Sequence, residues 1–290
     1  MMNWTEILTE LIRRTTSDLP ADAEAALRAA AAAEPAQSQA ALLLRALVEN
    51  TCVARGQSTP LCQDTGVLTF FWRVPCGTDT FALEQAARAA VFEATRNGWL
   101  RRNTIETLSG RSVDTNVAEG CPVCHFEQME TTSFEVWMMQ KGGGSENMSV
   151  QFSLPDGELA AGRDLDGVRK CLLQAVWRAQ GFGCAPGVLG VCIGSDRAEG
   201  YLVAKRQLLR PLTDAAPEPE LAELERRVLA ESNQLGIGPM GMGGKTTLLG
   251  VKIAVRTRLP ASYFVTVAYL CWACRRRGVR VTENKTERLG

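Results

Sequence analysis

Histidine is almost absent: the 290 residues include one, His125. Zinc hydrolase sites built on two or three imidazoles are therefore excluded, and any His-dependent triad has a single possible member. Charge of one sign is also lacking. Lys and Arg total 32 and so do Asp and Glu, leaving none of the basic excess that draws a protein to nucleic acid or to an anionic membrane. The longest apolar run, around Ala26 to Ala33, is broken by Arg28 and is too short to span a bilayer. Met1-Met2-Asn3-Trp4-Thr5-Glu6 shows no basic flank before an apolar stretch, so no export signal is read and a cytoplasmic location is expected.

What is present is ordinary for a folded enzyme or binding module. Hydrophobic residues make up 46% and charged residues 22%, and the length suits one large domain or two small ones. The ten cysteines are the unusual feature. In a reducing compartment they stay thiols, available as small buried hydrophobes or as ligands.

Periodicity predicts a helical subregion over residues 1–58, with Ile7, Leu8, Leu11 and Ile12 on one stripe and Leu42, Leu43, Leu44, Leu47 and Val48 resuming it beyond Pro35. Val67 to Val74 reads as a strand, Phe81 to Asn97 as a helix, and Ser133 to Met139 with Ser149 to Leu154 as strands around a glycine loop. Leu165 to Ala179 is amphipathic, Val188 to Ile193 is a short apolar strand, and Ala198 to Leu209 is helical. Pro211 to Pro219 reads as a link before a helix from Leu221 to Asn233, with strands near Leu248 to Ala254 and Tyr263 to Leu270. The basic tail from Arg275 reads as a surface strand or a partly ordered arm. The fold expected is a mixed α+β single domain over 1–290, with a helical N-terminal region on a body of mixed sheets and helices.

Several motifs fail on context. Cys121-Pro122-Val123-Cys124-His125 spells a c-type haem attachment sequence, but that chemistry belongs to exported chains, and the segment reads as core at a strand entrance. Gly236-Ile237-Gly238-Pro239-Met240-Gly241 fits G-x-G-x-x-G yet follows a helix instead of a strand. Gly244-Lys245-Thr246 resembles the end of a phosphate loop, with Pro239 where the first glycine must stand. What remains is a glycine-dense backbone able to offer N–H groups to an anion, with Lys245 adding a point charge. Its alternative is a flexible helix-to-strand connection. The loop Lys141 to Asn147, with Gly144 at its centre, suits carboxylate recognition through backbone amides.

Cys121/Cys124 and Cys271/Cys274 are both C-x-x-C and could assemble a four-thiolate zinc site. Cys52, Cys76, Cys171 and Cys192 lie in apolar or helical runs and read as buried small hydrophobes. Cys62 and Cys184 stand beside loop-forming residues and can project sulfur into a cavity.

Leu61-Cys62-Gln63-Asp64-Thr65-Gly66, Lys141 to Asn147, the run Gly236 to Thr247, and Pro260-Ala261-Ser262-Tyr263 leading to Cys271-Trp272-Ala273 resemble the α subunit, or N-terminal domain, of class I fumarate hydratase and L-tartrate dehydratase. The resemblance spans nearly the whole chain. It implies a [4Fe–4S] cluster held by Cys62, Cys184 and Cys271, with one iron free of protein ligand and Cys274 not a ligand. It implies reversible hydration of a C4 dicarboxylate, fumarate to malate first and tartrate dehydration second. By the same resemblance Asp64 is the acid/base candidate and Gln63, Arg101, Gly144 and Lys245 are substrate-binding candidates, with Arg102 a rival to Arg101. Asp64 also has a plain reading, as the turn carboxylate of Asp-Thr-Gly. Leu259 stands where family members often carry histidine. The family's other half implies a separate β subunit, in a heterodimer or heterotetramer, without which this chain is expected to be inactive or nearly so. A rival from another class is a non-catalytic zinc-thiolate or cluster-bearing scaffold.

Overall fold

The computed structural model describes residues 3–283 and 285–290. Three helices come first: α1 (Trp4–Ser17), α2 (Ala21–Ala33) and α3 (Gln39–Gln57). The Asn3 side chain accepts from the Glu6 N–H and caps α1, whose Leu8, Leu11 and Ile12 are buried as their spacing requires. Then follow β1 (Val67–Pro75), α4 (Thr80–Arg96), β2 (Val123–Met129), β3 (Phe134–Lys141), α5 (Gly143–Asn147), β4 (Val150–Ser153), α6 (Leu165–Ala179) and β5 (Gly187–Ile193). The chain continues through α7 (Arg197–Gln207), α8 (Pro219–Gln234), β6 (Leu248–Val255), β7 (Phe264–Leu270), β8 (Arg276–Thr282) and β9 (Lys285–Leu289). This is the mixed α+β fold expected. Among the described residues no helix is long and apolar enough to cross a membrane.

Two compact units share the chain. The first comprises Met1–Ala21, Glu49–Gly143 and Arg275–Gly290; the second comprises Asp22–Val48 and Gly144–Cys274. In the first, a five-stranded sheet has the order β2-β1-β3-β8-β9, with β1 parallel to β2 and antiparallel to β3. Alternate residues of β1, namely Leu68, Phe70, Trp72 and Val74, join α1 and α4 in one apolar core. Trp4 of α1 meets Trp72 edge-on at 5.2 Å. Asp79 caps α4 by accepting the Ala82 N–H at 3.0 Å.

In the second unit, a four-stranded sheet runs β4-β7-β5-β6. Its β5 is buried along its whole length, antiparallel to β7 and parallel to β6. That accounts for its continuous apolar sequence. α6 begins where the Asp164 carboxylate accepts the Gly167 N–H at 2.7 Å and covers the sheet with Val168, Leu172 and Val176. Gly190 of β5 faces α7 so closely that a Cβ there would lie 2.1 Å from the Ala204 carbonyl oxygen.

Three expectations are corrected. The tail from Arg275 is no surface arm: β8 is interior to the first sheet, and Arg275, Arg276 and Arg277 are buried. Arg277 is neutralised by Asp18 at 2.8 Å and donates to the carbonyls of Leu19 and Gly290. The glycine loop after β3 contains the short helix α5, which three glycines in sequence do not announce. Of the four cysteines read as core, Cys171 and Cys192 are buried, whereas Cys52 and Cys76 are exposed, on α3 and in the turn after β1.

Gly190→Ala is expected to cost about 1–3 kcal/mol, the range for overpacking a tight interior, seen as a lower urea midpoint. An unchanged midpoint would refute the close approach of β5 and α7.

Candidate active site

In the first unit the Cys62 segment leaves α3 and enters β1 under strict control. The Leu61 N–H donates to the Thr16 carbonyl at 2.9 Å, and the Leu61 carbonyl accepts from the Asn50 side chain at 2.9 Å. With Leu61 pinned on both sides, Cys62 follows half-buried and Gln63 exposed. Asp64 Oδ1 accepts from the Gly66 N–H at 3.0 Å, the turn role the plain reading gave it. Its Oδ2 accepts from the Gly143 N–H at 2.8 Å, and the Asn103 amide lies 3.5 Å from Oδ1. The loop expected to recognise a carboxylate through its amides thus holds one belonging to the chain itself. The approach requires glycine: a Cβ on Gly142 would sit 2.7 Å from Asp64 Oδ2, and one on Gly66, at φ +69°, 2.4 Å from the Lys141 carbonyl.

The arginine pair is organised from the same turn. Buried Thr65 accepts from the Arg101 N–H at 3.3 Å. Asn116, buried and at φ +56°, accepts from the N–H groups of Asn103 and Thr104 and donates to the Arg101 carbonyl at 2.7 Å. Arg102 is engaged with Asp114 at 3.4 Å, both side chains exposed. The Arg101 guanidinium is exposed and makes no ion pair among the described residues. Sequence reasoning missed Thr65, Asn103 and Asn116. The Asp64-Thr65-Gly66 turn was a signal for the first, whereas the spacing of Asn116 gave none.

In the second unit the loop between α6 and β5 carries Cys184 at φ +56°. The Cys184 carbonyl accepts from the Trp272 N–H at 3.1 Å, which sets its backbone beside the residue that follows Cys271. Between them lies Tyr269. Added Cβ atoms at Gly183 and Gly187 would meet its ring at 2.5 and 2.3 Å, so only glycines let the loop lie on the aromatic. Tyr269 is 1% exposed. Burial, reinforced by the neighbouring sulfurs of Cys271, Cys184 and Cys274, holds its hydroxyl far above the usual phenol range. Cys274 is buried, and its thiol donates to the Cys271 carbonyl at 3.6 Å.

Gly144 and Lys245 also belong to this unit. A Cβ on Gly144 would stand 3.3 Å from the Phe182 carbonyl, so Gly144 approaches the Cys184 loop. The glycine-dense run is a built turn. A Cβ on Gly238, at φ +68°, would lie 1.9 Å from the Gly243 carbonyl, and Asn233 Oδ1 accepts from the N–H groups of Thr247 and Leu248. Lys245 donates its backbone N–H to Glu34 and its ammonium to the Ala33 carbonyl at 3.0 Å. Its charge is therefore held at the end of α2.

The hydrogen bond from Trp272 to Cys184 brings two cysteine-bearing segments of the second unit together, and thiols are the donor type an iron–sulfur cluster takes. Among the described residues no three His, Cys, Asp or Glu side chains gather at one point as a metal ion requires. In the other C-x-x-C pair, burial pushes the Cys124 thiol up to about 12, while its ring neighbours place it in the apolar core of the first unit. His125 stacks on Phe71 at 5.3 Å within the sheet.

Comparison with known proteins now bears on this arrangement. The model of the family described as Fumarate hydratase (Fumerase) matches residues 5–280. The chain belongs to this family. It is 45% identical to a fumarate hydratase class I of Geobacillus stearothermophilus, over 97% of this chain and 55% of that protein. The chain therefore spans about half the length of that relative. It is 32% identical to an L(+)-tartrate dehydratase subunit alpha of Methanocaldococcus jannaschii, over 97% of this chain and 98% of the other. A protein of the same name from Escherichia coli strain UTI89 is 29% identical, over 97% and 92% of the respective chains. The resemblance first read from scattered motifs is thus a family relationship over most of the length. Leu259 is 73% exposed.

Asn116→Ala should destabilise the fold by about 2 kcal/mol, because it strands the N–H groups of Asn103 and Thr104. Faster amide exchange at those two positions, with the helices unaffected, is the expected signature. Unchanged exchange would mean that Asn116 does not order the Arg101 segment.

Proposed function

We propose that this chain is the cluster-binding component of a hydro-lyase that adds water reversibly across the double bond of a C4 dicarboxylate, fumarate to malate. The observation that carries it is the 45% identity, over 97% of the chain, to a fumarate hydratase class I. All 290 residues serve one catalytic domain in this reading. Cys62, Cys184 and Cys271 hold a [4Fe–4S] cluster, and Cys274 stays protonated. When bound, the cluster supplies an iron without a protein ligand, a Lewis acid for the substrate's hydroxyl and carboxylate.

The chain's own groups do the rest. Arg101, its guanidinium unengaged, takes a substrate carboxylate through paired N–H donors. Gln63, exposed next to a ligand, donates its amide to the substrate. The Gly144 N–H adds a donor for charge gathering on the carboxylate beside the reacting carbon. Asp64, held at a fixed position by the Gly143 and Gly66 amides, carries or receives the proton exchanged with substrate. Lys245 binds substrate only after its ammonium leaves the Ala33 carbonyl.

The second reading is L-tartrate dehydration. It is favoured by the relatives named tartrate dehydratase subunit alpha, which this chain matches over 98% and 92% of their length. Those names also support a separate β subunit as partner, in a heterodimer or heterotetramer. The ten cysteines, none joined in a disulfide, support a reducing, cytoplasmic compartment.

Anaerobic reconstitution should give about four irons with matching sulfide per chain, lost in Cys62→Ser. Zinc, or no metal in either protein, would end this reading. With a β partner present, relative turnover of fumarate, L-malate and L-tartrate decides between the two substrates. In that assay Arg101→Ala should raise KM at least about tenfold, the loss of one charge-assisted pair, while Arg102→Ala stays near wild type. The reverse pattern would move the substrate contact to Arg102.

A further inference from the structure

Arg275 follows Cys274 directly in the sequence and is 1% exposed. Its Nε and Nη1 have no hydrogen-bond partner among the described residues. A guanidinium is always charged, and a charge at that depth without a counter-ion is strongly unfavourable. Two other buried cations show the usual remedy. Lys252 donates to the Asp214 carboxylate at 2.8 Å, and Arg277 pairs with Asp18.

The surroundings of Arg275 in the first unit lead to Cys62. The Arg275 carbonyl accepts from the Gln140 N–H at 2.9 Å, so the two residues face each other where β3 and β8 begin to pair. Gln140 is fully buried. Its amide donates to Thr16 Oγ1 at 2.8 Å, and its Oε1 lacks a partner among the described residues. The Thr16 carbonyl in turn holds the Leu61 N–H, one residue before Cys62. The Arg275 main chain is thus linked, through Gln140 and Thr16, to the residue that precedes Cys62, and Arg275 lies four positions after Cys271 in the sequence.

An iron–sulfur core with three thiolates carries net negative charge, and its sulfurs accept N–H hydrogen bonds that tune its potential. We propose that Arg275 is the buried counter-charge and N–H donor to the cluster, a positioning residue that does not touch substrate. This rests on the cluster assignment of the preceding section.

The test compares full-length wild type, Arg275→Met, Arg275→Lys and Gln140→Glu, before and after anaerobic reconstitution. Before loading, Arg275→Met should melt no lower than wild type, because it removes an unpaired buried charge of similar volume. After loading it should lose iron and sulfide faster on dilution, and its reduction midpoint, followed by EPR, should move to more negative potential. Arg275→Lys should restore part of that shift. Gln140→Glu, which sets a carboxylate opposite Arg275, should move the midpoint in the same negative direction. An Arg275→Met protein that unfolds or melts lower while apo, or one whose cluster matches wild type in retention and potential, would overturn the proposal and leave the cluster assignment standing. A wild-type chain that takes up no iron and sulfide overturns both, and that failure is read without any variant.

Discussion

The Asp64 carboxylate joins three separate stretches of the first unit. One oxygen closes the turn into β1 through the Gly66 amide, the other accepts the Gly143 amide beyond the end of β3, and Asn103 reaches it from beside Arg101. A carboxylate that accepts from backbone amides is fixed in direction as well as position. The half-buried Cys62, the exposed Gln63 and the unengaged Arg101 all take their places from segments that this one group or its neighbour Thr65 ties down. Glycine at 66 and 142 is the condition for it, since any side chain there would occupy the space of the Lys141 carbonyl or of the carboxylate itself.

The second unit solves a similar problem with an aromatic ring. Tyr269 forms the floor on which the Cys184 loop lies, and the backbone link from Trp272 to Cys184 fixes the two cysteine-bearing segments against each other. Thiols carried on segments fixed this way are placed by main-chain geometry, which lowers the ordering cost of any ligand they take.

The regular elements with strong periodicity were legible in the sequence. α6 coincides with the amphipathic run Leu165 to Ala179 because Asp164 caps it and Val168, Leu172 and Val176 mark its buried face. β1 and β5 were readable because both are apolar runs bounded by loop-formers. Where side-chain polarity and burial disagree, the reading failed. Arg275 to Arg277 look like a solvated tail, yet β8 is an interior strand whose arginines find their partners through tertiary pairing that no local pattern encodes. β2 went unread as a full strand because its sequence is half-exposed and polar. At the candidate site, residues next to a motif were found, and residues that organise it from a distance, Thr16, Asn116 and Gln140, were not.

The order of the segments along the chain has a consequence for biosynthesis. The first unit draws its interior strand β8 from residues after 274, beyond the stretch 144–274 that builds the second unit. A ribosome delivering roughly 5–20 residues per second therefore exposes β3 with its β8 edge unpaired for several seconds. In that interval the second unit can complete its own sheet. The early edge, apolar at Val136 and Met138, stays unpaired until β8 arrives, and an open apolar edge is where a half-made chain is most prone to pair wrongly.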